Sequence, residues 1–345
     1  MSYIRSLLAH FRVLQDWAVR AHATAELDVR SFELELRCRG RYWDLAPQFA
    51  AVVDGRLVYQ PMLTADAAGF SGWLPYRPRP WTFAADKIAF KGWLRAAGLQ
   101  TPDWWDAQPG FRPDAAYLVK GSPGSFGAEV TGPFRAGEPV PSLPAGEGDS
   151  RRWFVESFIE GRILKAWYWG GRACFAHVHE LPRLRGDGLR TARELALERL
   201  AGAGRREEGE RPLQAVAACL AWQRLGLQDV VARDARPFID FRYGHRYDPL
   251  PGRLASDDAL PALAPGVREQ VDAFGSQVAE RLRQDQPAPM LFAGDAVLDG
   301  RDRLWWLELN ANPAVPPEAY APMLEDLFGF RPQAAPAASA ALAPA

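Results

Sequence analysis

The chain has 345 residues, of which 48% are hydrophobic and 13 are tryptophan, so the sequence predicts a substantial core. Its formal net charge of −1 gives no indication of a nucleic-acid or anionic-membrane surface. The three cysteines are widely spaced and form no CxxC pair, which argues against a disulfide framework or a zinc site. No apolar run approaches the roughly 18 residues of a membrane span. The N-terminus also lacks a cleavable apolar core, so we expect a cytoplasmic protein.

The first predicted elements form a separate N-terminal unit over residues 1–85. An amphipathic helix comes first, followed by short strands and a hairpin whose turn is Asp54-Gly55. The Pro-rich stretch 75–81 marks the boundary to the next unit. Beyond it, a helix begins near Asp86 and ends at Gly98. A strand ending at Lys120, a glycine-rich loop and a second strand follow.

Strands and helices continue to alternate in the second half. Strands are predicted in 152–159, 162–169, 173–181 and 237–244, and helices are predicted after the loop 183–191 and in 212–226 and 267–283. Residues 331–345 are rich in Ala and Pro and are predicted to be a disordered tail. The expected class is therefore α+β, or α/β with mixed sheets.

Polar residues interrupt the apolar pattern of the last predicted hairpin, GDAVLDGRDRLWWLELNANP. With the turn centred on Arg301–Asp302, Asp295 and Glu308 become direct cross-strand neighbours. Alternation along the strand then places Asn310 on the same face, together with Asn312. The opposite, core-facing side would carry Trp305, Leu307 and Leu309.

Carboxylates that lie so close repel each other unless a proton or a cation lies between them. Hard oxygen ligands without His or Cys indicate Mg²⁺. We therefore predict that Asp295, Glu308 and Asn310 bind metal. The alternative interpretation is a solvated polar face on an edge hairpin.

Lysine is rare and clustered in this chain. Of the 41 basic residues only four are Lys, at positions 87, 91, 120 and 165, and all four lie within residues 87–165. A lysine ammonium is a compact point charge that suits a phosphate approached end-on; chance clustering is the alternative. Lys120 precedes the loop GSPGSFG, whose backbone N–H groups and hydroxyls could close over phosphates. By itself such a loop is more often a plain hairpin turn.

The order of these parts resembles the ATP-grasp superfamily over roughly residues 85–325. Asp86-Lys87 is similar to the family's Asp-Lys at its first helix, LVKGSPGSFG to its second lysine and phosphate loop, and FVESFIEG to the hinge that holds adenine. The resemblance implies an ATP-grasp fold in which two α+β lobes clamp ATP. It places the small lobe in residues 86–160 and the large lobe in 161–330. Residues 1–85 lie outside the resemblance, and we expect them to form a small N-terminal α/β domain that recognises a substrate or a partner.

The resemblance also implies a set of nucleotide and metal residues. Asp295, Glu308 and Asn310 match the family's magnesium triad, which holds two Mg²⁺ ions, with Mn²⁺ as a substitute. The implied ATP-binding residues are Lys87, Lys120, Gly121, Ser122, Gly124, Ser125, Gly127, Glu156, Phe158, Ile159, Glu160 and Lys165. Glu156 would accept the exocyclic amine of adenine, and the backbone of Phe158 and Ile159 would meet the ring edge.

A finer resemblance concerns RLRGDGLRTARELA, which is similar to a segment of cyanophycin synthetases and bifunctional glutathione synthetases. Arg242 falls on the Leu-Arg position of these relatives. With Arg190 and Lys120, Arg242 is expected to steady the transferring phosphoryl group. Two positions depart from the pattern. Ile163 stands where relatives carry an acid that binds the ribose hydroxyls, so Glu160 is the candidate for that role here. Ala293 stands where dipeptide ligases carry Arg.

The function implied is an ATP-dependent carboxylate–amine ligase that forms an amide or peptide bond through an acyl phosphate. Its products would include ADP and phosphate, and its substrates would be small molecules or peptides, with neither nucleic acid nor membrane as partner. A homo-oligomer is compatible with this sequence. Two alternatives stay open: a small-molecule kinase on the same fold, and a catalytically weak nucleotide-binding module.

Overall fold

The computed structural model describes residues 2–53, 56–78, 81–122, 130–143, 152–203, 212–242, 257–285 and 288–332. Within these ranges, helices and antiparallel strands interleave and form three sheets, so the predicted mixed α+β class is confirmed. No helix in these ranges is both long and apolar enough to cross a membrane.

The N-terminal unit is a five-stranded sheet covered by one long helix. Its elements are α1 (Ser2–Ala21), β1 (Thr24–Leu27), β2 (Leu34–Cys38), β3 (Arg41–Val53), β4 (Arg56–Gln60) and β5 (Ala67–Leu74). The strands pair in the order β1-β2-β3-β4, and β5 pairs with β3. The inner face of α1 buries Leu7, Leu14 and Trp17 in the same core as the sheet.

A smaller four-stranded sheet follows two helices. Its elements are α2 (Thr82–Ala85), α3 (Lys87–Ala96), β6 (Trp104–Asp106), β7 (Tyr117–Ser122), β8 (Val130–Phe134) and β9 (Arg152–Ser157), with strand order β6-β9-β7-β8. The predicted helix start at Asp86 is confirmed, because its carboxylate accepts hydrogen bonds from the N–H groups of Ile88 and Ala89. This cap fixes Lys87 as the first helical residue.

The larger four-stranded sheet is built from strands distant in sequence. Its order is β11-β10-β12-β13, and the elements of this part are β10 (Gly161–Trp169), β11 (Arg172–His179), α4 (Ala192–Gly202), α5 (Leu213–Trp222), α6 (Pro265–Arg283), β12 (Leu291–Asp299), β13 (Leu304–Ala311) and α7 (Tyr320–Phe328). Thr191 and Glu194 form a capping box at the start of α4. On the back of the sheet, Phe274 of α6 stacks on Trp306 with ring centroids 3.6 Å apart.

The C-terminal segment packs on the N-terminal sheet. Tyr320, Met323 and Leu324 of α7 belong to the same buried cluster as α1 and β5. The loop after β13 is also fixed there, since Gln48 donates to the carbonyl of Asn312 at 2.9 Å. The N-terminal unit therefore shares its core with the last helix of the chain.

Two expectations about secondary structure are wrong. The strand predicted in 237–244 is absent from its described part, which ends at residue 242 and shows only an isolated bridge between Arg183 and Phe238. The predicted facing of Trp305 is also wrong: it is partly buried beside Leu307, whereas Trp306 is only 1% exposed in the core. The cause is a β-bulge in the final hairpin. The hairpin turn at Asp54-Gly55 and the tail beyond residue 332 lie outside the described residues.

Candidate functional site

A cavity of about 320 Å³ lies between the smaller and the larger sheet. The smaller sheet contributes Leu118, Lys120, Val130 and Glu156 from three of its strands. The larger sheet and its loops contribute the opposite wall. One end of the cavity is lined with charged side chains and the other with apolar side chains, a combination typical of small-molecule sites.

The bulge in the last hairpin brings the predicted carboxylates onto the cavity wall. Asp295 pairs with Glu308 across the two strands as predicted, but the next pair is Ala296 with Trp306, so Leu307 is the extra residue. As a result, Leu307 and Glu308 both line the cavity although they are consecutive. Trp306, in place of Trp305, then faces the core.

Two lysines pair with these carboxylates from opposite sides. Lys87 Nζ lies 2.9 Å from a carboxylate oxygen of Glu308, and Lys165 Nζ lies 2.8 Å from one of Asp295. Asn310 donates its side-chain amide to Asp295 at 2.8 Å. The cations that keep the two acids together in this structure are therefore ammonium groups.

The environments of the two acids differ electrostatically. Burial raises the pKa of Asp295, and the neighbouring Glu308 raises it further against the opposing effect of Lys165. Burial also acts on Glu308, but Lys87 and the other lysines outweigh it and hold the pKa of Glu308 below its usual value. Glu308 is therefore the more firmly ionised member of the pair.

A second charge cluster is centred on Glu156, which is 1% exposed. Lys120 contacts one carboxylate oxygen of Glu156, and Lys91 Nζ lies 2.6 Å from the other. The two lysines outweigh the effect of burial and lower the pKa of Glu156. Because its carboxylate already contacts two ammonium groups, the expected contact of Glu156 with an exocyclic amine has no support in this geometry.

The apolar end of the cavity is a slot between the sheets. Its lining includes Leu118, Val130, Phe158, Ile159, Ile163, Leu181, Phe241, Val297 and Leu307. The N–H of Phe158 donates to the carbonyl of Ala116 at 2.8 Å and is therefore engaged within the protein. The N–H of Ile159 makes no backbone hydrogen bond within the described residues, which leaves it as the donor at the slot edge.

Arg242 lies where the cavity meets the loops. Its guanidinium is held by Asp240, with nitrogen–oxygen distances of 2.9 and 3.2 Å, and Asp240 is 6% exposed. This two-point grip fixes the plane of the guanidinium. Arg242 thus lines the same cavity as Lys165 and Asp295.

The structure does not bring two of the expected residues into the cavity. Arg190 lies in a separate surface depression, where it pairs with Asp187 at 2.6 Å and Glu198 at 2.8 Å. Glu160 is exposed and lines another depression on the outer side of the hinge. Both expectations come from the family resemblance. Arg190 is held by carboxylates outside the cavity, and the side chain of Glu160 is exposed although its neighbours Ile159 and Gly161 line the cavity.

The glycine-rich loop is described only at its start. Ser122 is buried at the end of β7, and its Oγ accepts a hydrogen bond from the N–H of Lys87 at 3.2 Å. Gly121 is likewise buried in that strand. The expected phosphate contacts of Gly124, Ser125 and Gly127 fall on residues outside the described ranges.

The donor set at the hairpin fits a hard divalent cation that shares ligands with a phosphate. Two carboxylates and the side-chain amide of Asn310, whose nitrogen faces Asp295 here, lie side by side on β12 and β13. Carboxylate and amide oxygens are ligands that Mg²⁺ accepts. Among the described residues, no group of three or more His, Cys, Asp or Glu side chains could hold a metal by itself. Any ion bound by Asp295, Glu308 and Asn310 would therefore need further oxygens from phosphate or water.

Sequence reasoning missed two residues of the site. Lys91 had been noticed as one of only four lysines but received no role, although it is fully buried against Glu156. Asp240 was also missed, although its spacing of two residues from Arg242 would place both side chains on one face of the predicted strand.

Comparisons with known proteins gave matches among solved structures only. No family model matches the chain, and no curated protein matches it. A bifunctional glutathione synthetase from Pasteurella multocida is 14% identical with a TM-score of 0.37, and the match covers 89% of this chain and 40% of that one. A D-alanine–D-alanine ligase from Bacillus anthracis is 14% identical with a TM-score of 0.35, covering 72% and 64%.

An L-amino acid ligase from Bacillus licheniformis is also similar, at 12% identity and a TM-score of 0.31, with 70% of this chain and 44% of that one covered. The chain thus spans between 40% and 64% of the structures it matches here. Likeness at these identities and TM-scores does not by itself assign an activity or a substrate to this chain.

Proposed function

We propose that this chain is an ATP-dependent carboxylate–amine ligase of the ATP-grasp type. The observation that carries the proposal is the arrangement of one cavity. Three lysines and three acidic side chains from two sheets and helix α3 converge at its charged end, and an apolar slot forms the other end. A nucleoside triphosphate has the same division into a flat apolar base and a polyanionic tail.

The apolar slot would take the adenine base. Its walls come from aliphatic and aromatic side chains of both sheets, so a planar ring can be buried between them. The N–H of Ile159 would donate to the ring edge. Ile163 offers no acceptor to a ribose hydroxyl, and the exposed Glu160 does not line the cavity.

The charged end would take the phosphates and Mg²⁺. Lys87 and Lys120 come from the helix start and the strand end that adjoin the glycine-rich loop, and Lys165 comes from the opposite sheet. Asp295, Glu308 and Asn310 would hold Mg²⁺, which would neutralise charge on the transferring phosphoryl group. Arg242, held flat by Asp240, would steady the same group from the loop side.

The proposed reaction has two steps. A carboxylate oxygen of the substrate attacks the γ-phosphorus, ADP leaves, and an acyl phosphate forms. An amine then attacks the acyl carbon, phosphate leaves, and the nitrogen loses a proton to complete the amide. The protein's contribution is positioning, neutralisation of charge and exclusion of water from the acyl phosphate.

A screen of amino acids and short peptides for ADP release tests the proposal directly. The expected result is nucleotide turnover that requires both a carboxylate and an amine, with the amide product identified by mass spectrometry. ADP and phosphate are the expected by-products. Stoichiometric AMP would contradict the acyl-phosphate route, and turnover without an amine that yields a stable phosphorylated product would indicate a kinase.

A further inference from the structure

Lys91 is a fully buried lysine with two polar partners, Glu156 and Thr101, and it lies behind the wall of the cavity. It is 0% exposed, its Nζ lies 2.6 Å from Glu156, and it donates to Thr101 Oγ1 at 2.9 Å. Lysine is almost never fully buried without a paired charge, because desolvation of the ammonium group is costly. Lys91 itself does not line the cavity, so direct contact with a ligand there is not its role.

The partner of Lys91 is also the partner of Lys120, which does line the cavity. Glu156 carries one negative charge and contacts both ammonium groups, so the three side chains together carry one positive charge. Burial lowers the pKa of Lys91 to about 8 against the opposing effect of Glu156, so the ammonium form still predominates at neutral pH. Without Lys91, the carboxylate of Glu156 would neutralise Lys120 by itself.

We propose that Lys91 is a positioning residue of the nucleotide site, which shares Glu156 with Lys120 and so leaves Lys120 with positive charge for a phosphate. This inference rests on the proposed function, because it supposes that a nucleotide phosphate approaches Lys120. A residue outside the cavity would thus control how strongly the cavity attracts an anion. The buried carboxylate is the element through which the two lysines are linked.

The experiment compares the binding of ATP with that of adenosine, measured by isothermal titration calorimetry in the presence of MgCl₂. Lys91→Met keeps the length of the side chain and removes its charge. It should weaken ATP binding about tenfold or more and change adenosine binding by less than about twofold. The reason is that the loss of a hydrogen bond to a charged group typically changes a dissociation constant by about tenfold or more. A purely structural defect would weaken both ligands together.

Arg95→Met is the matched control, because it removes an exposed basic side chain from the same helix, where Arg95 pairs with Asp103. It should leave the ratio of ATP to adenosine affinity unchanged. The double variant Lys91→Met/Glu156→Gln removes both buried charges at once, which avoids an uncompensated charge if the single variant does not fold. Its affinity ratio should return to the wild-type value or exceed it, because Lys120 then has no carboxylate partner.

Three outcomes would overturn the inference, and they separate it from the proposed function. An unchanged ratio in Lys91→Met, or a ratio in the double variant well below wild type, would exclude a role through Glu156 and Lys120. The failure of wild-type protein to bind ATP would overturn the nucleotide proposal itself, and the role of Lys91 with it. Wild-type binding of ATP with an unaltered ratio in the variant would overturn the role of Lys91 alone.

Discussion

Each acid at the charged end of the cavity is paired with lysine in this structure. Lys87 pairs with Glu308, Lys165 with Asp295, and Lys120 with Glu156. The sequence required a cation between the two hairpin carboxylates, and the lysines supply it without metal. A phosphate and a divalent ion entering together could exchange partners with these pairs, so that each charge keeps an opposite neighbour.

Glu308→Gln should preserve the fold and reduce ligase turnover by about 100-fold or more, because Glu308 is expected to hold the ion that neutralises the phosphoryl group. Removal of a like charge beside Asp295 should not raise the stability of the ligand-free protein, since Lys87 loses its partner at the same time. ADP release and thermal melts measure both effects. Glu198→Gln, at a surface pair with Arg190, is the matched control, and a fully active Glu308→Gln protein would remove the metal role.

Lys120→Arg should weaken ATP binding although it keeps the positive charge. The ammonium of Lys120 lies in a buried position against Glu156, and a planar guanidinium presents its donors in a different, bulkier geometry. We expect ATP affinity to fall by about tenfold or more, as for the loss of a charged hydrogen bond. Titration calorimetry gives the value, and wild-type affinity in this variant would exclude Lys120 from the phosphate site.

At the scale of elements, one face of the last hairpin packs in the core and the other lines the cavity. Gly294 lies on the core face, where an added Cβ would come within 2.5 Å of Phe274 and 2.8 Å of Trp306. The glycine therefore permits the stacking of Phe274 on Trp306 behind the sheet. On the other face, the bulge at Leu307 aligns Glu308 with Asp295.

Two adjacent substitutions test this facing. Trp306→Ala should destabilise the protein by about 3–5 kcal/mol, the range for deletion of a buried aromatic side chain. Trp305→Ala should destabilise the protein clearly less, because Trp305 is partly exposed. Its ring contacts the guanidinium of Arg303, and its Nε1–H donates to Asp299. Urea unfolding of both variants gives the difference. A larger loss for Trp305→Ala would mean that the strand has the register predicted from alternation alone.

At the scale of the whole molecule, a chain of buried polar groups joins the N-terminal unit to the last helix. The N–H of Trp73 donates to Tyr320 Oη at 2.9 Å, and Tyr320 Oη in turn lies 2.8 Å from His10 Nδ1. A neutral His10 with a free lone pair at Nδ1 can accept the hydroxyl proton of Tyr320. Burial lowers the pKa of His10 to about 4.

This histidine should make stability depend on pH. The unfolded chain binds a proton at His10 near pH 6.5, whereas the folded chain does so only near pH 4. The contribution of His10 is therefore fully present above about pH 6.5 and is lost as the pH falls to about 4, by up to about 3 kcal/mol. His10→Gln keeps an acceptor for Tyr320 and should remove this loss of stability between pH 6.5 and pH 4. Identical pH profiles of the unfolding free energy for both proteins would contradict it.

The sequence by itself determined those features that depend on neighbours along the chain. The helix start at Asp86 follows from a side chain that caps the N–H groups two and three residues further on. The antiparallel pairing of the last two strands follows from the short connection of a hairpin, whereas the alignment of Glu308 with Asp295 also needs the bulge at Leu307. The mixed α+β class follows from the alternation of local patterns. The convergence of lysines and acids on one cavity was foreseen for Lys87, Lys120 and Lys165 through resemblance rather than through spacing.

Only the tertiary structure decided the features that depend on distant packing. The bulge at Leu307 turns Trp306 toward the core. There its ring stacks on Phe274, which comes from a separate helix. Arg190 lies outside the cavity, where it pairs with Asp187 of its own loop and Glu198 of α4. Lys91 acquires its partner only when α3 packs beside β9. Alternation and spacing describe how side chains leave one strand or helix, whereas these contacts are set by where two elements meet in space.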